Sequence, residues 1–191
     1  MALVMTSGPA TEPVTVAEAK AHLRIDTDAE DVLVASLILT SRLHIEAGLG
    51  LALVRQGWRL LLDRWPKDGT VAVPLRPLMT VDAIRVRAAD GTPQAVAADR
   101  YVVDAASEVA RIVPMGATWP ATGRAAHGIE IDFTAGFGAS AGDVPGPIRQ
   151  AVLLLTAHWY EHRDPIEIGS DETVIPRAVS ELLAPWRRRR L

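Results

Sequence analysis

The residues whose types and spacing come nearest to a catalytic pattern are His158, Glu161 and His162, in the run His158-Trp159-Tyr160-Glu161-His162. The run matches H-x-x-E-H, the pattern of inverted zinc peptidases. There, two histidines four apart on one helix face bind zinc and the glutamate acts as general base. Such a site needs a third ligand downstream, and Glu167, Asp171, Glu172 and Glu181 come after it without a recognisable supporting motif. The expectation is therefore a helix-end cluster in which Trp159 packs and the polar residues face solvent or a neighbour. A zinc-dependent hydrolase at His158, Glu161 and His162 stays as the alternative.

No other constellation offers a reaction. His22, His44 and His127 are isolated in sequence and suggest no Ser/His/Asp arrangement. Gly136, Gly138 and Gly142 lack the Lys-Ser/Thr that ends a phosphate loop and the spacing of a dinucleotide fingerprint, so they read as a flexible loop. With no cysteine, thiolate metal sites, thiol nucleophiles and disulfides are excluded. No catalytic residue, cofactor or metal ligand is assigned, and the chain is not expected to be an enzyme.

A second feature is the block Arg187, Arg188, Arg189 and Arg190, directly after Pro185-Trp186. It reads as a solvated tail, as an anchor into an acidic partner surface or as a contact to DNA phosphates. An aromatic beside arginines is a typical interface anchor, so Trp186 shifts weight to docking. The net charge of −3 argues against a generic nucleic-acid coat.

The elements that must position these residues fall into three stretches. A length of 191 residues with 49% hydrophobic side chains is enough for a genuine core. Met1 to Pro13 has no basic region followed by an apolar run, and no stretch approaches about 18 consecutive apolar residues, so no membrane association is expected. Ordered structure is expected to begin at Thr15, where Thr15 and Glu18 have capping-box spacing, with a short helix to Leu23. Thr27 and Glu30 repeat that spacing before a long helix to about Ala47, closed by Gly48 or Gly50. That helix is apolar in nearly every direction, through residues such as Leu33, Leu37, Ile38, Leu39 and Leu43. Its cover comes either from its own chain or from neighbouring subunits.

From Leu51 to about Phe133 the period changes to that of strands. Gln56–Leu62, Val81–Arg87, Tyr101–Val103, Val109–Val113 and Ile129–Phe133 read as short strands between turn signals. Helix resumes after Asp143-Val144-Pro145-Gly146-Pro147, with Ile148, Val152, Leu155 and Trp159 forming one stripe. A short last helix runs from Pro176 to Leu183. The fold class is thus α+β: a helical bundle built from 1–50 and 135–191, a small antiparallel β unit inserted at 51–134, and a mobile basic C-terminal tail.

Several of these segments together resemble the head–tail connector (adaptor) proteins of tailed phages, a family that includes the connectors of phage-like gene transfer agents. The resemblance is carried by Val14-Thr15-Val16-Ala17-Glu18-Ala19-Lys20-Ala21-His22-Leu23-Arg24 with the acidic run Asp26 to Asp31, and by Leu53-Val54-Arg55-Gln56-Gly57-Trp58-Arg59-Leu60. Val144 to Ala151, His158 to Arg163 and Ile175 to Leu183 continue it in the family's order. It implies a structural subunit of the virion or phage-like particle, assembled in the bacterial cytoplasm. Its copies would form a homo-oligomeric ring, a dodecamer, between the portal protein and a tail-side stopper or terminator protein, with DNA passing through the channel. On that reading Trp186 and Arg187 to Arg190 are the portal-docking residues. A head-to-tail ring needs two different complementary faces, and Leu33, Leu37, Ile38, Ile148, Val152, Leu155 and Trp159 are the candidate subunit-interface residues.

Overall fold

The computed structural model describes residues 1–116, 118–162 and 175–187. The chain is α+β and divides into two compact units, Met1–Pro9 with Gly50–Phe137, and Ala10–Leu49 with Gly138–Leu191.

The first unit is built on β1 (Ala2–Ser7), β2 (Gln56–Leu62), β3 (Val71–Ala72), β4 (Leu78–Arg87), β5 (Pro93–Ala95), β6 (Tyr101–Asp104), β7 (Arg111–Pro114) and β8 (Ile129–Ala135). One antiparallel sheet has the order β1-β2-β8-β4-β5 and a second has β3-β7-β6. β8 is the spine. Its Ile129, Ile131 and Phe133 point inward and are fully buried, while Glu130 and Asp132 alternate with them on the other face. Leu60 of β2 and Ile84 of β4 join them, and Val71 and Ile112 of the second sheet complete the same hydrophobic cluster.

On the opposite face the charges pair across strands. Asp132 accepts from Arg59 Nε at 2.6 Å and from Arg85 Nη1 at 2.5 Å, and Glu130 accepts from Arg87 Nε at 2.8 Å. The hydrogen bond from Arg59 leads in holding the Asp132 carboxyl below its ordinary value, with Arg85 adding to it. The segments flanking β3 and following β7 are fastened by aromatic rings: Trp65 stacks on Trp119 at 4.2 Å, and Trp119 Nε1 donates to the Gly69 carbonyl at 2.7 Å.

The strand β1 lies outside the expected start of structure at Thr15. It pairs with β2, Leu3 opposite Leu60, in a register that breaks between Met5 and Ser7. Gly136, expected in a flexible loop, is tied down instead: its N–H donates to the Pro77 carbonyl at 3.0 Å, and that of Phe137 to Leu53 at 3.2 Å. Its φ of 143° and a clearance of 2.6 Å from a would-be Cβ to the Arg55 nitrogen leave room only for glycine.

The second unit contains α1 (Val16–Leu23), α2 (Asp31–Leu49), α3 (Gly146–Glu161) and α4 (Arg177–Leu183). The capping box that opens α1 is present. The Glu18 N–H donates to Thr15 Oγ1 at 3.1 Å and the Thr15 N–H donates to Glu18 Oε2 at 2.8 Å. The helix expected to open at Thr27 starts later. α2 begins at Asp31, and the Glu30 carboxylate accepts from the Tyr160 hydroxyl of α3. At the other end α2 reaches Leu49, so Gly48 lies inside it and Gly50, at φ 63°, is the left-handed residue that ends it. Asp143 does not cap α3 directly. It forms a capping box with Ser140 around a single 3-10 turn, Ala141–Asp143, and Pro147 then sits in the first turn of α3.

By length and composition α2 is apolar enough to cross a membrane. In this unit it buries one stripe, Val34, Ile38, Ser41, Arg42, Ile45 and Glu46, and packs against α3. Arg42 is the charged centre of that stripe. Burial opposes its charge, yet Glu12 at 2.7 Å and Glu46 at 2.7 Å outweigh that and raise its affinity for the proton.

Candidate functional site

The helical unit carries the residues singled out from the sequence, and it sorts them into three groups. Ile38, Ile148, Val152 and Leu155 lie in the unit's own interior, fully buried where α2 meets α3. The stripe that looked free to meet a neighbour is thus used inside the chain, because α2 and α3 turn their most continuous apolar rows toward each other. Leu33, Leu37 and Trp159 are half-buried at the edge of that packing, with Trp159 edge-on to the exposed His44 ring at 5.6 Å.

What the sequence pattern did not separate is the opposite side of α2. Val32, Leu39 and Leu43 are 86%, 41% and 46% exposed. They succeed one another at seven and four residues, so they share one face. In a helix apolar all round, periodicity cannot say which face is covered. Arg42 and Glu46 give no help either: at i,i+4 they read as a solvated pair, and they are buried here.

His158 and His162 do come together at the C-terminal end of α3. Their ring centroids are 4.5 Å apart, and His162 Nδ1 lies 2.8 Å from the His158 carbonyl oxygen. Glu161 is exposed, and Glu181, a possible third ligand, pairs with Arg177 at 2.8 Å. Among the described residues no group of three or more His, Cys, Asp or Glu side chains is gathered as a metal site. Glu167, Asp171 and Glu172 lie outside the described residues.

At the C-terminus α4 is fixed by Val179 and Leu183, both buried, and continues as one 3-10 turn, Ala184–Trp186. Trp186 is half-buried and Arg187 is exposed in extended backbone. Arg188, Arg189 and Arg190 lie outside the described residues.

In this arrangement Arg42 and Glu46 are buried as an ion pair, and Val32, Leu39 and Leu43 are left uncovered on α2. No protein-family model and no curated protein matches the chain, but solved structures do, along almost its whole length. A chain in "Neck of empty GTA particle computed with C6 symmetry" is 36% identical, with a TM-score of 0.84 over 100% of this chain and 97% of that one. A chain in "Virion of native gene transfer agent (GTA) particle" is 34% identical, with a TM-score of 0.84 and the same coverage. A third, in "Neck of native GTA particle computed with C12 symmetry", is 32% identical at a TM-score of 0.76 over 98% of this chain and 97% of that one. The chain belongs to the head–tail connector family of phage-like particles, the neck proteins of gene transfer agents among them.

Proposed function

We propose that this chain forms a homo-oligomeric ring, a dodecamer, in the neck of a tailed phage or gene transfer agent particle. The ring sits between the portal and a tail-side stopper or terminator protein, with DNA passing through it. The single observation that carries this is the end-to-end likeness to chains of particle necks computed with sixfold and twelvefold symmetry, above 30% identity. The helical unit supports it physically. A ring subunit must transmit load without reorganising; α2 is joined to α3 by a buried apolar stripe and is tied to the segment before α1 by the ion pair of Arg42 with Glu12. On this reading the helices act as a bundle that carries the subunit contacts, near Leu33, Leu37 and Trp159. The segment from Pro176 onward, with Trp186, Arg187 and the arginines after it, docks the portal. The protein is assembled in the bacterial cytoplasm and stays in the virion.

Electron cryomicroscopy of particles whose neck contains this chain tests the proposal. The expected result is a closed ring of twelve copies between portal and tail around a DNA-sized opening. Density for the chain anywhere else in the particle, or in an open or single-copy arrangement, would sink it.

A further inference from the structure

A closed ring of identical subunits requires two unlike faces per subunit, placed so that one copy's first face meets the next copy's second. We infer that α2 supplies both: the uncovered stripe Val32, Leu39 and Leu43 of one copy seats in the cavity at the C-terminal end of α2 in the next copy. The inference rests on the ring reading and adds to it which surfaces touch.

The cavity has a volume of about 210 Å³ and is lined by His44, Gly48, Leu49, Val179, Leu183 and Arg187. Its walls are apolar and its rim carries a guanidinium and an imidazole. An occupant should therefore offer a branched apolar side chain with negative charge beside it. The stripe does so. Leu39 and Leu43 stand out from α2 beside Arg42, whose guanidinium holds the part-exposed Glu12 carboxylate at 2.7 Å.

Helix geometry places the two faces as a head-to-tail ring needs them. At 3.6 residues per turn, Leu39 and Gly48 are nine residues and two and a half turns apart, hence on opposite sides of α2 and about 13.5 Å apart along it. A stripe and a socket on opposite sides of one rigid helix cannot satisfy each other within a chain. They can between successive copies.

The absence of native cysteine makes the test clean. Leu39→Cys replaces a side chain on the exposed face, and Gly48→Cys adds a Cβ with no atom within 4 Å. The two cysteines of one chain are too far apart for a disulfide, which needs Cα atoms within about 7 Å. Particles are assembled with the double variant, oxidised and run on a non-reducing gel, with particle necks imaged in parallel. The expected result is a reductant-sensitive ladder of multimers for the double variant. Co-assembled single variants should stop at dimers, and each single variant alone should stay monomeric. A ring visible by imaging but no ladder would overturn the contact and leave the ring reading standing. So would dimers from Leu39→Cys alone, which imply a self-complementary face, or cross-links to a different polypeptide. Absence of any ring would remove the ring reading itself.

Discussion

Ser41 Oγ of α2 and Thr156 Oγ1 of α3 lie 3.0 Å apart, both fully buried, so one hydroxyl donates to the other across the helix pair. A hydrogen bond of this kind contributes modestly, but an orphaned buried hydroxyl costs about 1–3 kcal/mol. Ser41→Ala should destabilise the chain by that amount in a urea titration. Ser41→Ala with Thr156→Val, which removes both partners, should recover most of the loss. A double variant as unstable as the sum of the two single ones would mean the hydroxyls are not partners.

Asp132 links three strands, taking Arg59 of β2 on one side and Arg85 of β4 on the other. Its carboxyl is held below the ordinary 3.8, first by the hydrogen bond from Arg59. A depressed folded-state value means the contribution is fully present above the ordinary value and is lost as pH falls through the folded one. Both arginines are about one-third exposed, so screening limits the effect. Asp132→Asn should cost about 1–2 kcal/mol at neutral pH. The gap from wild type should close as the pH is lowered below about 4. A gap that stayed constant down to about pH 2 would show that the charge is not what matters.

Elements set by local chemistry were legible in the sequence. Thr15 and Glu18 are three residues apart and cap α1 as their spacing says, and Gln56–Leu62 is a strand with the bounds its alternation suggests. Thr27 and Glu30 have the same spacing, but α2 begins only at Asp31, and the Glu30 carboxylate accepts from the Tyr160 hydroxyl, 130 residues away in the chain. Likewise Ala2–Ser7 has no inward-outward alternation of its own and becomes a strand because β2 presents an open edge to it. The candidate interface divided on the same ground. Ile38, Ile148, Val152 and Leu155 read as one apolar resource with Leu39 and Leu43, and only the packing of α2 on α3 decides which of them face outward.

The histidine pair at the end of α3 allows a direct measurement. His162 Nδ1 is engaged with the His158 carbonyl, so the two rings offer at most one ligand each, and no third ligand is gathered among the described residues. Two such ligands fall short of the three or four that hold structural or catalytic zinc. Purified protein dialysed against zinc and then against a mild chelator should retain far less than one zinc per chain by elemental analysis, with His158→Ala indistinguishable. Retention of about one zinc, lost in that variant together with a hydrolytic activity, would restore the enzyme reading.

The C-terminal segment offers the sharpest test of docking. α4 is held to its own unit by Val179 and Leu183, so the fold does not need the residues beyond Trp186. Arg187 is exposed and opens a run of four arginines, forked donors that pair bidentately with carboxylates. One such contact is weak, but its repetition around a ring multiplies through avidity, so its loss should be all-or-none for attachment. Deleting residues 188–191, which spares Arg187 at the rim of the α2 cavity, should leave thermal unfolding of the subunit within about 0.5 kcal/mol of wild type, the range usual for surface changes. The same deletion should yield DNA-filled heads without tails in electron micrographs. Trp186→Ala should give an intermediate yield, since it removes an aromatic anchor and leaves the charges. If the arginines served DNA instead, the deletion would leave tails attached and change how much genome the particles retain. Heads and tails joined at normal yield in the truncated particles would therefore rule out portal docking by this segment.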